Sequence, residues 1–147
     1  MMDTSCSKVI NISHLCKEST ECAYKVDIIT NNHNLLYQTE TLSLILTELK
    51  LRSLILDEIA IYAFCILPEK ISLVISMKEE CKLDQWVKKF KAYITRNSHT
   101  KKLWKPKFEM EEIESSMLSY KCTEVVKQPE TLGLVNNWND YSLSFKA

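Results

Sequence analysis

The chain has 147 residues and a formal net charge of zero, with 46% hydrophobic and 26% charged residues, a composition typical of folded globular proteins. It contains a single glycine, Gly133, which excludes the P-loop and the dinucleotide-binding loop because both need several glycines. Its most apolar stretch, 42–67, contains Glu48, Lys50, Arg52, Asp57 and Glu58 and therefore does not predict a membrane span.

Cysteine spacing and the N-terminus bear on the compartment. The six cysteines form no Cys-x-x-Cys pair, so a zinc ribbon has no support, and the first five residues lack the basic-then-apolar pattern of a signal peptide, so none is expected. We therefore expect free thiols and a cytoplasmic location, associated with the nucleoid, or a nuclear location in a eukaryote. Residues 1–21 lack periodicity and are predicted to form an N-terminal extension, whereas residues 22–147 are predicted to form one domain.

The predicted elements follow a β-α-β-β-α-β-α order. They are a strand over 22–30, a helix over 39–51, strands over 54–67 and 70–77, a helix over 83–96, a strand over 103–110 and a helix over 111–127. Thr39 or Thr41 is expected to cap the first helix, and Glu111 to open an acidic first turn of the last. Pro106 marks an edge strand, and Pro129 is expected to end the last helix. This order predicts an α/β (α+β) fold, a ferredoxin-like β-α-β-β-α-β sandwich with an extra C-terminal helix.

Charge is distributed unevenly along the chain. From Lys82 to Lys107 there are nine basic residues and one acidic residue, so the rest of the chain carries a net charge of about −8. Lysines that neutralise phosphates, next to aromatic rings that stack on unpaired bases, are typical of single-strand and hairpin binding. A solvated helix face is the simpler interpretation of the same lysines. The predicted nucleic-acid contacts are Lys88, Lys89, Lys91, Arg96, Lys101, Lys102, Trp104, Lys105 and Lys107.

Several segments resemble a known family when they are taken together. The central residues 61–76 read IYAFCILPEKISLVIS, two apolar strands separated by Leu67-Pro68-Glu69. They are followed by LDQWVKKFKAY (83–93), LWKPKF (103–108), EVVKQPETLGLV (124–135) and WNDYSLS (138–144). In this order and spacing the segments resemble motifs of the HUH-type single-tyrosine transposases, especially the REP-associated tyrosine transposases.

The resemblance also predicts which residues occupy the catalytic positions. In that family the central strands carry a His-x-His pair that holds the catalytic metal, and a later helix carries the nucleophilic tyrosine. Here the matching positions hold Lys70, Ser72 and Glu124. An ammonium group repels a divalent cation, and a carboxylate cannot form a phosphotyrosine link. The resemblance therefore implies a catalytically inactive, domesticated transposase-like protein that needs no metal or other cofactor. We expect it to bind single-stranded or hairpin DNA, or RNA, in a regulatory or architectural role.

Two other functions are left open. A residual metal-dependent nuclease would use Tyr120, one helical turn before Glu124, together with Glu124 and Gln128. A protein-interaction module that has lost nucleic-acid binding would use the acidic surface and the N-terminal extension. A homodimer and a protein partner also remain open, whereas no membrane partner is expected. Lys70 is hypothesised to contact a phosphate where relatives hold their metal.

Overall fold

The computed structural model describes residues 22–31, 37–78 and 82–147. Its elements are β1 (Ala23–Thr30), α1 (Thr39–Lys50), β2 (Ile59–Ile66), β3 (Lys70–Met77), α2 (Leu83–Ser98), β4 (Trp104–Ile113), α3 (Leu118–Val126), α4 (Gln128–Thr131) and β5 (Ser144–Lys146). A π-helical turn, Leu51–Ile55, continues α1, and short 3-10 turns precede α3 and β5. The predicted extension, residues 1–21, lies outside the described residues.

Five antiparallel strands form one sheet in the order β4-β1-β3-β2-β5. The first four strands and the helices α1 and α2 have the connectivity of a ferredoxin-like sandwich, so the predicted fold class is confirmed. β5 adds a short fifth strand to the outer edge of β2. The remaining C-terminal helix of the prediction is α3, which packs on the opposite face of the sheet from α1 and α2.

The two faces of the sheet have separate cores. Side chains alternate along β3, so Ile71 and Leu73 pack with α1 and α2, whereas Val74 packs with Val125 of α3. Both faces of the central strands are therefore buried, which explains why β2 and β3 are nearly continuous apolar runs in the sequence. Phe90 of α2 is fully buried in the core on the α1 and α2 side.

Several predicted boundaries are wrong. The strand predicted from residue 54 begins at Ile59, because the preceding residues continue α1 as a helical turn. The N-cap of α1 is Gln38 rather than Thr39 or Thr41, and its side chain makes no capping hydrogen bond. Glu111 lies on β4, which pairs with β1 as far as Ile113, so the last long helix lacks the predicted acidic first turn.

The structure also bears on the expectations for Pro129, the cysteines and membrane-spanning helices. Pro129 occupies the first turn of α4 instead of ending the preceding helix outright. Cys65 and Cys122 are free and buried, and burial raises their pKa values to about 12 and about 11. Cys22 is disulfide-bonded, so the expectation of free thiols is wrong for that residue. Within the described parts of the chain, no helix has the length and apolar character needed to cross a bilayer.

Candidate functional site

The sheet face covered by α3 carries a buried ion-pair cluster around Asp27. Asp27 lies in the middle of β1 with only 5% of its surface exposed, and it is directly opposite Ser72 in the register of β1 and β3. Ser72 Oγ donates a hydrogen bond to Asp27 Oδ1 over 2.7 Å. The ammonium groups of Lys25 and Lys70 lie 3.2 and 3.3 Å from Asp27 Oδ2. We call Lys25, Asp27, Lys70 and Ser72 the Asp27 cluster.

Electrostatics keep Asp27 ionised. Burial by itself would raise the pKa of Asp27, but the hydrogen bond from Ser72 and the charges of Lys25 and Lys70 outweigh it. The pKa of Asp27 therefore lies below its usual value, and the carboxyl is charged at neutral pH. Two ammonium groups and one carboxylate leave the cluster with an excess positive charge. The side chain of Lys70 is 31% exposed, so part of that charge is accessible from solvent.

The cluster does not fit a divalent metal. Lys70 and Ser72, the residues that the sequence resemblance matches to a His-x-His pair, offer an ammonium group and a hydroxyl, and Asp27 Oδ2 is shared by two ammonium groups. Ammonium groups carry three donors and no acceptor, so they repel a cation instead of binding it. In the parts of the chain that the structure describes, no group of three or more His, Cys, Asp or Glu side chains could hold a metal ion.

A cleft of about 380 Å³ lies between β1, β4 and the C-terminal helices, and Lys25 links it to the Asp27 cluster. Glu124 and Gln128 line this cleft. Lys121 Nζ bridges Glu111 Oε1 at 3.2 Å and Glu124 Oε1 at 3.3 Å. The cleft is therefore lined by paired charges of both signs.

Tyr120 is not brought together with these residues. Its side chain is 60% exposed and does not line the cleft that holds Glu124 and Gln128. The structure therefore unites only two of the three residues of the residual-nuclease hypothesis.

Sequence reasoning missed Asp27, Lys25 and Lys121. Asp27 and Lys25 alternate with Val26 and Ile28 on the same strand, which are fully buried on the other face. The available signal was the pair of charged residues within a predicted strand. A carboxylate that becomes buried in a sheet needs a partner, so Asp27 could have been predicted to form an ion pair.

The aromatic part of the predicted nucleic-acid surface is wrong. Trp104 is only 8% exposed, and its indole Nε1 donates to the backbone carbonyl of Lys91 over 3.1 Å. Its ring packs in the core on the α1 and α2 side and cannot stack on a base in this arrangement. Lys91 Nζ in turn donates to the carbonyl of Lys105 over 2.9 Å, and burial lowers the pKa of Lys91. Lys91 thus links α2 to β4 instead of projecting freely.

The other predicted contacts are exposed but do not share one surface. Lys105 and Lys107 alternate along β4 with Trp104 and Phe108, whose rings pack toward α2, so the alternation directs the two lysines to the opposite side. The exposed basic residues therefore run from α2 around the β4 edge of the sheet. They are Lys88, Lys89, Arg96, Lys101, Lys102, Lys105 and Lys107.

The connection between α2 and β4 positions the middle of this series. His99 and Lys102 adopt left-handed backbone conformations, with φ of 59° and 54°, which are unfavourable for residues other than glycine. Asn31 offsets this cost, because its Nδ2 donates to the carbonyls of Lys102 and Trp104, each over 2.9 Å. Lys101 and Lys102 are thus carried by a turn of defined shape.

Two solved structures have a fold similar to that of this chain. No protein-family model matches the chain, and no curated protein matches its sequence. A solved REP-associated tyrosine transposase bound to a REP hairpin is similar with a TM-score of 0.71 and 19% identity, over 84% of this chain and 75% of that one. A candidate transposase of Deinococcus radiodurans R1 is similar with a TM-score of 0.51 and 15% identity, over 76% and 93% of the two chains. The resemblance predicted from the sequence is thereby confirmed at the level of the fold.

Proposed function

We propose that the protein binds single-stranded or hairpin nucleic acid, in a regulatory or architectural role, without the tyrosine-based strand cleavage of transposases. The observation that carries the proposal is the Asp27 cluster, which contains Lys70 and Ser72, the residues that the sequence resemblance matches to the metal-binding histidines. The shared fold adds support, because the similar transposase is bound to a REP hairpin.

The chemistry of the former catalytic positions supports loss of cleavage. A transposase of this type needs a cation to polarise the scissile phosphate and a tyrosine to accept it. Here Lys70 supplies a fixed charge without an open coordination site, and Glu124 is paired with Lys121 at 3.3 Å. A carboxylate in that position offers no hydroxyl that could form the phosphotyrosine intermediate.

The same replacement supports retained binding. The Asp27 cluster holds an excess positive charge at a partly exposed position, where Lys70 can contact a phosphate. The exposed basic residues from Lys88 to Lys107 provide further phosphate contacts along α2 and the β4 edge. Because the whole chain is neutral, binding depends on these local charges and weakens steeply with salt.

Binding is tested with fluorescently labelled hairpin DNA, single-stranded DNA, duplex DNA and hairpin RNA, by anisotropy across a salt series. We expect the hairpin and single-stranded probes to bind more tightly than the duplex. The double variant Lys88→Glu and Lys89→Glu should weaken binding by about tenfold or more, since each phosphate contact contributes strongly. The matched control, Lys50→Glu with Lys127→Glu, changes the net charge equally at exposed positions outside the basic region.

Two results of this experiment contradict the proposal. One is the absence of binding to every probe at low salt. The other is an equal loss in the control variant, because the effect would then reflect net charge and not a surface.

Loss of cleavage is tested separately with end-labelled hairpins incubated with Mg²⁺ or Mn²⁺ and separated on denaturing gels. We expect neither a nicked product nor a covalent protein–DNA adduct. Metal-dependent nicking that disappears in Tyr120→Phe would instead establish the residual nuclease. The binding proposal would still be decided by the anisotropy measurements.

A further inference from the structure

On the other side of the molecule, the chain between α1 and β2 exposes three consecutive large apolar residues. Leu54, Ile55 and Leu56 are 77%, 73% and 50% exposed. They lie in and just after the π-helical turn that continues α1. π-helical turns are rare and often occur at functional sites, and exposed apolar side chains forgo the free energy of burial. Both features therefore need an explanation.

The conformation of this turn is held in place by a partly buried ion-pair network. Arg52 Nε donates to Glu48 Oε1 over 2.8 Å, and Arg52 Nη1 donates to Glu58 Oε1 over 2.9 Å. Trp86 Nε1 donates to the same Glu58 oxygen over 3.1 Å. We call Glu48, Arg52 and Glu58 the Arg52 network. Because the network fixes the backbone on both sides of Leu54, the exposure of Leu54 is built into the fold.

An apolar groove of about 620 Å³ lies beside the turn, between α1 and the outer edge of the sheet. Its apolar wall is formed by Leu46, Leu49, Leu54, Ile61, Phe64 and Phe145. The rings of Phe64 and Phe145 stack at 5.7 Å, and Phe145 remains 43% exposed. The groove is thus an apolar surface that is already present in the folded chain.

The floor of the groove is an open strand edge. β5 pairs only with Ala63–Cys65 of β2. Within the described residues, the outer edge of Ile59–Ile61 therefore has no strand partner. An open edge next to apolar pockets is the arrangement by which extended peptides add to a sheet, with main-chain hydrogen bonds for affinity and alternate side chains for specificity.

Charge and size define the occupant. Lys50 lines the groove and has no ion-pair partner in the described part of the chain, whereas Lys78 is paired with Asp57 at 3.6 Å. The groove therefore favours an acidic group near Lys50. Ile55 and Leu56 extend the apolar surface beyond the groove. A small molecule bound in the groove would leave these two side chains uncovered.

We propose that the groove binds an extended segment of a partner protein, which adds as a strand along Ile59–Ile61. Alternate apolar side chains of this segment fill the groove and cover Leu54, and a carboxylate of the segment pairs with Lys50. This surface is distinct from the Asp27 cluster and the basic residues, so the protein has one face for nucleic acid and another for a protein.

Selection of short random peptides displayed on phage, against the immobilised full chain, tests the proposal. We expect enriched peptides to alternate apolar residues and to contain Asp or Glu. Their synthetic versions should bind about tenfold more weakly to Leu54→Ser and to Lys50→Glu, as expected for the loss of a central contact. Leu134→Ser is the matched control, because Leu134 is also an exposed leucine, at 42%, but lies in the segment after α4.

Strand addition is tested by N-methylation of alternate backbone amides in an enriched peptide. Methyl groups on the amides that face the sheet edge should abolish binding, whereas methyl groups on the intervening amides should not. Equal effects of both sets would overturn strand addition. Failure to enrich any peptide that depends on Leu54 and Lys50 would overturn the site, as would self-association of the chain that Leu54→Ser abolishes, because a second copy would then be the occupant.

Discussion

The Asp27 cluster and the Arg52 network are ion-pair groups of opposite composition on opposite sides of one sheet, and each contains a buried carboxylate. The first places one carboxylate between two lysines, and the second places one arginine between two carboxylates. The Arg52 network is closed by the indole of Trp86 and shapes a turn. The Asp27 cluster keeps an excess positive charge that is partly exposed through Lys70. Similar ion pairs therefore hold a turn in one place and leave a positive charge accessible to solvent in the other.

The largest effect in this comparison is expected from Arg52→Ala. The change leaves Glu48, which is 2% exposed, as a buried carboxylate without its cation. We expect the free energy of unfolding to fall by about 3–5 kcal/mol, as measured when one partner of a buried pair is removed. Urea denaturation followed by circular dichroism measures this, with Arg52→Lys as the charge-conserving control. A loss below about 1 kcal/mol would mean that the network contributes little to the turn.

Asp27→Asn is expected to separate stability from binding. It leaves Lys25 and Lys70 without their common counter-charge, and we expect a loss of about 2 kcal/mol in unfolding free energy. Affinity for hairpin DNA should instead rise several-fold, since the site gains one positive charge. Glu58→Gln makes the same charge change in the Arg52 network and should leave DNA affinity unchanged. Equal effects of the two substitutions on DNA affinity would show that affinity follows the net charge of the chain and not the charge of the Asp27 cluster.

The pH dependence of stability should report on Asp27. Its pKa in the folded state lies below the unfolded value of about 3.9, so its stabilising contribution is present above that value and is lost as pH falls through the folded pKa. The stability difference between the native chain and Asp27→Asn should therefore be constant near neutrality and shrink below about pH 4. Denaturant titrations at a series of pH values measure it. A difference that persists at the lowest pH would show that Asp27 contributes through packing and not through its charge.

Lys70→Ala should weaken hairpin binding by about 1 kcal/mol. It should also make the slope of log affinity against log salt concentration shallower by roughly one, as expected for the loss of one phosphate contact. Anisotropy titrations across salt concentrations give both values. Lys121→Ala is the matched control, because that lysine is held between Glu111 and Glu124 and lies at the cleft without excess charge. Unchanged affinity in Lys70→Ala would remove Lys70 from the binding surface.

The smallest effect is expected from Glu124→Gln. Glu124 is 45% exposed at its side chain, and its pair with Lys121 is shared with Glu111. Exposed pairs of this kind contribute less than about 1 kcal/mol, so the unfolding free energy should hardly change. A loss comparable to that of Asp27→Asn would show that the pair between Glu124 and Lys121 contributes to stability as a buried pair does.

Local patterns in the sequence predicted most of the fold. The third strand was predicted with the observed limits, Lys70–Met77, because its apolar run and the preceding Pro68 mark both ends. The second helix was predicted correctly from Leu83, since Trp86 and Phe90 recur at helical spacing. Residues 54–58 were wrongly predicted to begin the second strand, because the apolar residues there are compatible with either a helix or a strand.

The candidate site was predicted in part. The family resemblance pointed to Lys70, Ser72 and Glu124, and the structure places them beside Asp27 and the cleft. The sequence did not reveal that Trp104 is buried, because an aromatic residue among lysines has the same pattern whether its ring packs inward or faces solvent.

The sequence by itself determined most of the elements and the neutral overall charge. Glu48 and Arg52 are also a local pair, four residues apart on one helical segment. Tertiary structure alone decided that Lys70 meets Asp27, which is 43 positions away in the chain, and that Ile59–Ile61 is left with an open edge. The physical reason is that contacts within a helix follow from its periodicity, whereas contacts across a sheet depend on the order and register in which distant strands pair.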